Sequence, residues 1–330
     1  STALFLNCQV TRENIMNILT LEKNFLDLQV DSLSARVGNT PLLPLRRVTL
    51  GLPPSVKIYA KAEWFNPGGS IKDRAALNII RTAIAKGELT ANKRLLDSTS
   101  GNTGIAYATF GAAMGIPITL ALPENASKER IAILNALGVE LILTDALEGP
   151  EGSMQVVREM LEKSPEKYFY ANQYGNPANW MAHYNSTGPE IYAQTAGQIT
   201  HFVAGLGTSG TMMGTGRYLR DQNPQIKLIA GQPTKPLHGL EGLKHMKSAE
   251  HPAIYEADLS DRYVEVETEA AHEMVRRLAR EEGLFVGLSS GAAAIAALRV
   301  AEELDEGTVV TIFPDAGYKY LSHETLWNDA

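Results

Sequence analysis

The feature that most constrains the fold is an alternation of short apolar runs with longer helical patterns, which begins at residue 57. Short runs rich in apolar residues predict strands, and the stretches between most of them carry apolar residues at helical spacing. This rhythm is typical of an α/β protein with a parallel sheet. The predicted strands are 57–62, 95–98, 118–123, 139–144, 168–172, 201–206, 227–231, 263–267, 284–287 and 309–313.

Two helical segments have further signals. Residues 11–29 carry an apolar stripe at helical spacing, and Thr11 can cap its start. A second helix is predicted over 72–89. The 330 residues, of which 44% are apolar and 20% charged, suffice for one large core or two modest ones. We therefore expect two lobes.

Charge and cysteine content exclude several classes of protein. Thirty basic and 37 acidic residues give a net charge of −7 without a basic block, which argues against nucleic acid or an acidic membrane as a partner. The single cysteine, Cys8, cannot form an internal disulfide, and no apolar run reaches the roughly 18 residues of a membrane span. The seven histidines show no metal-ligand spacing. A cytoplasmic protein without a metal is predicted.

The first of four strand-to-helix loops is 67–72, where Gly68 and Gly69 precede Lys72. The start of a helix carries a partial positive charge and free N–H groups, so a lysine is disfavoured there. Lys72 is then either a solvated surface residue or an amine that is kept less protonated and nucleophilic. Taken alone, these residues favour the surface interpretation.

The second loop, 98–104, follows a strand and opens a helical pattern. It gathers hydroxyl groups, an amide and helix-start N–H groups, which are neutral donors that suit a carboxylate ligand. Capping of the helix by Ser100 or Asn102 is the alternative, but one residue would be enough for that.

The third loop, 205–211, is rich in glycine and threonine and also leads from a strand into a helix. Such a loop can bring backbone N–H groups and hydroxyls to a phosphate. Gly205, Gly207 and Gly210 also match the spacing of a dinucleotide site, but Gln232 and Pro233 stand about where its acidic ribose ligand is expected. A monophosphate fits better.

The fourth loop, 287–292, is again a strand end followed by a helix of small residues. A serine there can cap the helix and do nothing else. Its role depends on what faces it, which the local sequence does not show.

In this order, the motifs PGGSIKDR (67–74), TSGNTG (99–104), GTSGT (207–211) and GLSSG (287–291) resemble the cysteine synthase family. These are fold-type II pyridoxal-phosphate (PLP) enzymes, and the resemblance extends from about residue 38 to 321. It implies a two-lobed α/β fold in which each lobe is a mostly parallel twisted sheet flanked by helices. It also reverses the surface interpretation of Lys72, because the family's lysine at this position holds PLP as a Schiff base.

The resemblance implies a role for each loop. Asn102 would contact the PLP ring oxygen, and Ser289 would face the pyridine nitrogen, where a serine makes the ring a weaker electron sink than an aspartate would. The phosphate would be held by Gly207, Thr208, Ser209, Gly210 and Thr211. The substrate carboxylate would be held by Thr99, Ser100, Gly101, Thr103 and Gln173.

The implied reaction is a β-replacement that makes L-cysteine from an O-activated L-serine through an aminoacrylate, with Lys72 as general base. Some family members use O-phosphoserine and bind its phosphate with an arginine, whose place Lys244 takes here. Lysine lacks the bidentate fork of arginine, so O-acetylserine is favoured. The sulfur donor stays open between sulfide, thiosulfate and the thiocarboxylate of a carrier protein.

The resemblance leaves other functions to consider. A cystathionine β-synthase would join serine to homocysteine, but the short stretch after Leu321 leads us to expect no regulatory module, which makes this alternative less favoured. A serine or threonine dehydratase and a non-enzymatic PLP-binding protein are the further alternatives. A homodimer is expected. The predicted units are an N-terminal helical extension (1–31), a smaller mobile lobe (64–176) and a larger lobe (32–63 with 177–330).

Overall fold

The computed structural model describes residues 32–99 and 101–327. The helix predicted over 11–29, Cys8 and Ser100 lie outside the described residues. No helix of the described ranges is long and apolar enough to cross a membrane.

The strands of the described residues form two sheets. A six-stranded sheet has the order β1-β2-β10-β7-β8-β9, and only β1 pairs antiparallel. A four-stranded parallel sheet has the order β5-β4-β3-β6. The strands are β1 (Leu42–Pro44), β2 (Val56–Ala62), β3 (Arg94–Ser98), β4 (Ile118–Pro123), β5 (Glu140–Thr144), β6 (Tyr168–Tyr170), β7 (His201–Gly205), β8 (Lys227–Pro233), β9 (Arg262–Val266) and β10 (Gly307–Phe313).

Helices connect most of the parallel strands, as crossover connections require. Within the described part of the chain they are α1 (Lys72–Ala85), α2 (Asn102–Met114), α3 (Lys128–Ala136), α4 (Gly149–Lys163), α5 (Pro177–Ala182), α6 (Gly188–Gln194), α7 (Gly210–Gln222), α8 (Thr268–Arg277), α9 (Leu288–Ala301) and α10 (Glu324–Trp327). Short π-helical turns extend α5 at His183–Thr187 and α8 at Leu278–Glu282.

Both sheets are covered by helices on their two faces. In β7, Phe202 packs with α6 and α7 on one face, whereas Val203 packs with α8 and α9 on the other. In β3, Leu95 joins the core formed with α1, α2 and α3, and Leu96 joins the smaller core formed with α4. Two-sided burial explains why these strands are continuous apolar runs instead of alternating ones.

The predicted α/β fold with mostly parallel sheets is confirmed. The strand predicted over 284–287 is wrong: Val286 forms one isolated bridge with Ala316, because the chain turns at Gly283, where φ is 71°, and enters α9 within five residues. The helix predicted over 72–89 ends at Ala85, just before Gly87 adopts a φ of 70°. The exact boundaries of the two lobes remain a prediction.

Candidate active site

A cavity of about 860 Å³ lies where strands of both sheets end. This is the edge at which parallel α/β sheets bind ligands. Gly210 is not among its lining residues, and Ser100 is outside the described ranges. The other predicted site residues all line it: Lys72, Thr99, Gly101, Asn102, Thr103, Gln173, Gly207, Thr208, Ser209, Thr211, Lys244 and Ser289.

Lys72 is the first residue of α1, and its side chain faces this cavity instead of bulk solvent. Among the described residues, no hydrogen bond or ion pair engages its amine. Burial lowers the pKa of Lys72, and the charge of Asp315 opposes this shift. A larger fraction of neutral, nucleophilic amine is therefore present than in a surface lysine.

A buried cluster of charges holds α1 just behind Lys72. The guanidinium of Arg74 donates to both carboxylate oxygens of Glu63, at 2.7 and 2.9 Å, and to both of Glu190, at 2.7 and 2.8 Å. Lys61 donates to Glu190 at 2.7 Å. Burial opposes ionisation of Glu190, but Arg74 and Lys61 outweigh it and lower the pKa of Glu190 to about 2. The cluster fixes the start of α1.

We expect Glu63→Gln to lower the free energy of unfolding by about 3–5 kcal/mol, because it leaves a buried guanidinium without one of its counter-charges. Urea unfolding of the purified protein measures the change. The control is Glu303→Gln, which breaks the exposed pair with Arg262 and should cost about 0–1 kcal/mol. Equal costs for the two variants would show that the cluster adds no more than a surface pair.

The loop before α7 presents several unused donors. Ser209 adopts a left-handed conformation with φ 65°, directly before the first residue of α7. The backbone N–H groups of Gly207, Thr208 and Ser209 meet no carbonyl oxygen of a described residue. The Ser209 hydroxyl is buried and also has no partner among these residues. Such a set of donors at the positive end of a helix fits a phosphate group.

A series of side-chain hydrogen bonds connects this loop with the one before α2. Thr103 donates to the side-chain oxygen of Gln173 at 2.7 Å. The amide of Asn179 donates to the backbone oxygen of Gln173 at 2.7 Å and to the Thr208 hydroxyl at 3.2 Å. The N–H groups of Asn102 and Thr103 meet no backbone carbonyl of the described residues. The α2 start can therefore receive a carboxylate.

Ser289 is the second residue of α9 and is 7% exposed. Its hydroxyl makes no hydrogen bond to another described residue, so the side chain of Ser289 does not cap the helix. Because Ser289 lines the same cavity as Lys72, its hydroxyl is available to a ligand there.

Two further cationic side chains reach the cavity among the described lining residues. Lys244 stands over the ring of Tyr174, with 4.9 Å between its Nζ and the ring centroid. Arg130, from α3, forms an ion pair with Glu241 from the loop after β8 and stacks over the ring of Tyr320. Arg130 thus has a carboxylate partner, whereas Lys244 has none among the residues described.

Sequence reasoning gave no role to the segment 315–321, although that segment ends the family resemblance. In the structure, Asp315 and Lys319 both bind the side chain of Asn102. Tyr320 donates to Asp315 at 2.9 Å. The motif at 315–321 is visible in the sequence, but its role depends on contacts between residues that lie more than 200 positions apart.

Comparison with known proteins identifies the family. A family model described as pyridoxal-phosphate dependent enzyme matches residues 33–315. The cysteine synthase of Aquifex aeolicus (strain VF5) is 52% identical over 291 residues, which are 87% of this chain and 89% of the relative. The chain belongs to the cysteine synthase family of pyridoxal-phosphate-dependent enzymes. Both the predicted family and the predicted cofactor are confirmed.

Solved structures of this cysteine synthase family share the fold. Cysteine synthase (OASS) from Entamoeba histolytica has a TM-score of 0.86 at 37% identity, over 91% of each chain. An O-acetylserine dependent cystathionine beta-synthase from Helicobacter pylori has a TM-score of 0.83 at 34% identity, over 89% of this chain and 97% of the other. The unpartnered amine of Lys72 and the unused donors of the α7 loop fit PLP.

Proposed function

We propose that this protein makes L-cysteine from O-acetyl-L-serine and a small sulfur nucleophile. The observation that carries the proposal is the convergence, on one cavity, of a partially neutral lysine, a phosphate-type loop and a carboxylate-type loop. The 52% identity to a cysteine synthase supports the choice of reaction. The reaction exchanges acetate for sulfur at the β-carbon and leaves the α-amino and carboxyl groups intact.

Each group in the cavity has a proposed task. Lys72 would hold PLP covalently, and its amine would accept the substrate α-proton and later return it. The α7 loop, including Gly210, would hold the phosphate, Asn102 the ring oxygen and Ser289 the ring nitrogen. PLP bound there supplies an electron-withdrawing ring that stabilises negative charge at the α-carbon. The substrate carboxylate would be held by Thr99, Ser100, Gly101, Thr103 and Gln173.

The charges of the cavity favour an acetyl over a phosphate leaving group. Arg130 is already neutralised by Glu241, and Lys72 is committed to the cofactor. Lys244 is then the one remaining lysine or arginine among the described lining residues. A phosphate ester carries about two negative charges near neutral pH, so a single ammonium without a bidentate fork compensates it poorly. The acetyl ester carries no such charge.

The leaving group can be tested with two substrates and two variants. With sulfide as nucleophile, we expect kcat/KM for O-acetylserine to exceed that for O-phosphoserine by about tenfold or more, which is about 1.4 kcal/mol. Lys244→Met should leave the O-acetylserine value within about threefold. Lys235→Met, an exposed lysine of the same loop, is the control for loss of charge. A preference for O-phosphoserine that Lys244→Met abolishes would refute the acetyl assignment.

Homocysteine is the second candidate nucleophile, because the Helicobacter pylori relative is an O-acetylserine dependent cystathionine beta-synthase. Replacing sulfide by homocysteine in the same assay distinguishes the two reactions. Cystathionine formed faster than cysteine would favour the second candidate.

The homodimer, a sulfur-carrier protein as donor and the cytoplasmic location remain predictions.

A further inference from the structure

The segment 314–320 touches three of the loops that form the cavity. The backbone oxygen of Pro314 accepts from the N–H of Ile71 at 2.9 Å, next to Lys72. The backbone oxygen of Asp315 accepts from the N–H of Gly287 at 3.1 Å, just before the helix of Ser289. The side chains of the same segment bind Asn102. One stretch of chain thus sets the spacing between these loops.

Lys319 is the centre of these contacts and is 2% exposed. Its ammonium group donates to the Asn102 side-chain oxygen Oδ1 at 2.7 Å, to the Gly69 carbonyl at 3.1 Å and to the Gly68 carbonyl at 3.3 Å. An ammonium has three N–H donors, so these acceptors use all of them. Lys319 therefore has no donor left for a ligand, and any effect it has on the reaction passes through its neighbours.

The carboxylate of Asp315 completes the arrangement from the other side of Asn102. Its Oδ2 accepts from Asn102 Nδ2 at 2.8 Å and from the Tyr320 hydroxyl at 2.9 Å. Rotating the Asn102 amide by half a turn would place its oxygen against this carboxylate and its NH₂ against the Lys319 ammonium. Both contacts would be repulsive, and both would be buried, where electrostatic repulsion is strong. The amide is locked in one orientation.

We propose that Lys319 and Asp315 are positioning residues that fix the Asn102 amide so that Nδ2, and not Oδ1, is presented to the ring oxygen of the cofactor. Nδ2 carries two hydrogens; Asp315 takes one, and the described residues leave the other unused. Since Asn102 lines the cavity, that hydrogen is available there. The inference rests on the proposed function, in which Asn102 meets the ring oxygen.

The test is a double-mutant cycle on the full-length holoenzyme, with Lys319→Met, Asn102→Ala and the double variant. Each single variant should weaken PLP affinity about tenfold, since each removes a hydrogen bond with a charged partner. Both should shift the visible absorbance maximum of the bound cofactor in the same direction, because both disturb its ring oxygen. The PLP affinity of the double variant should lie within about twofold of that of the single variant that binds PLP less tightly. Independent roles of the two residues would instead multiply to about a hundredfold loss of affinity.

Two further variants separate positioning from general support of the structure. Lys319→Arg keeps the charge and the donors, so it should restore the wild-type absorbance maximum. Lys247→Met, which breaks an exposed pair with Glu265, is the control for removal of a lysine. If Lys319→Met is too unstable to purify, Lys319→Gln is measured in the same cycle.

An unshifted absorbance maximum in the Lys319 variant, or additive losses in the cycle, would overturn the inference. Failure of the proposed function would look different, because the wild-type holoenzyme would then form no cysteine from O-acetylserine and sulfide. The two failures are therefore distinguishable: one is measured in the products of the wild-type protein, the other in the absorbance and PLP affinity of the Lys319 variants.

Discussion

Lys72→Ala should lower kcat for cysteine formation by about 10³-fold or more, because it removes the amine that is proposed both to hold the cofactor covalently and to move the α-proton. The visible absorbance of the lysine-bound cofactor should disappear in the same variant. Reduction of the wild-type holoenzyme with borohydride, followed by peptide mass spectrometry, should place a pyridoxyl group on Lys72.

The matched control is Lys86→Ala. Lys86 follows the last residue of the same helix and is exposed, so this variant should retain wild-type activity and absorbance. A pyridoxyl group found on another lysine, or full activity in Lys72→Ala, would contradict the role proposed for Lys72.

Gly207→Ala should weaken PLP affinity by on the order of a hundredfold, which corresponds to about 3 kcal/mol. A Cβ atom at this position would collide with the backbone oxygen of Gly242. The loop would have to move, and its N–H groups would lose their common direction toward a phosphate. Fluorescence or absorbance titration of the cofactor-free protein with PLP measures the change.

Gly231→Ala is the control for this substitution. Gly231 lies in β8 and pairs in register with Gly205 of β7, one strand away. A Cβ atom at Gly231 would lie 3.6 Å from the Cβ atom of Ala296, which is an ordinary contact. The PLP affinity of Gly231→Ala should therefore stay within about threefold of wild type. Equal affinity in the Gly207 and Gly231 variants would mean that the α7 loop does not hold the phosphate.

The parts of the site that sequence could predict are those encoded locally. A strand end, a glycine or hydroxyl-rich turn and a helix start lie within about ten residues, so the loops around Asn102 and Thr208 could be recognised from the chain itself. Lys72 shows the limit of local reasoning. Its own neighbours favoured a place on the surface, and only the resemblance that it shares with the other three loops predicted that it holds the cofactor.

The parts that could not be predicted depend on distant residues. The strand predicted over 284–287 has the right composition, but strand formation also requires a partner, and only Val286 finds one. Lys319 reaches Asn102 across 217 positions of sequence, and the pairing of Arg130 with Glu241 likewise joins different elements. No periodicity or capping signal reports such contacts, because they exist only once the two sheets have packed.

The proposed function is tested most directly by the products formed from O-acetylserine and sulfide. The PLP-loaded protein should release cysteine and acetate in equal amounts, and cysteine should not form when sulfide is omitted. Pyruvate and ammonia in place of cysteine would mean that the protein eliminates acetate without adding sulfur at the β-carbon. That result would contradict a cysteine-forming β-replacement, even if Lys72 were shown to carry the cofactor.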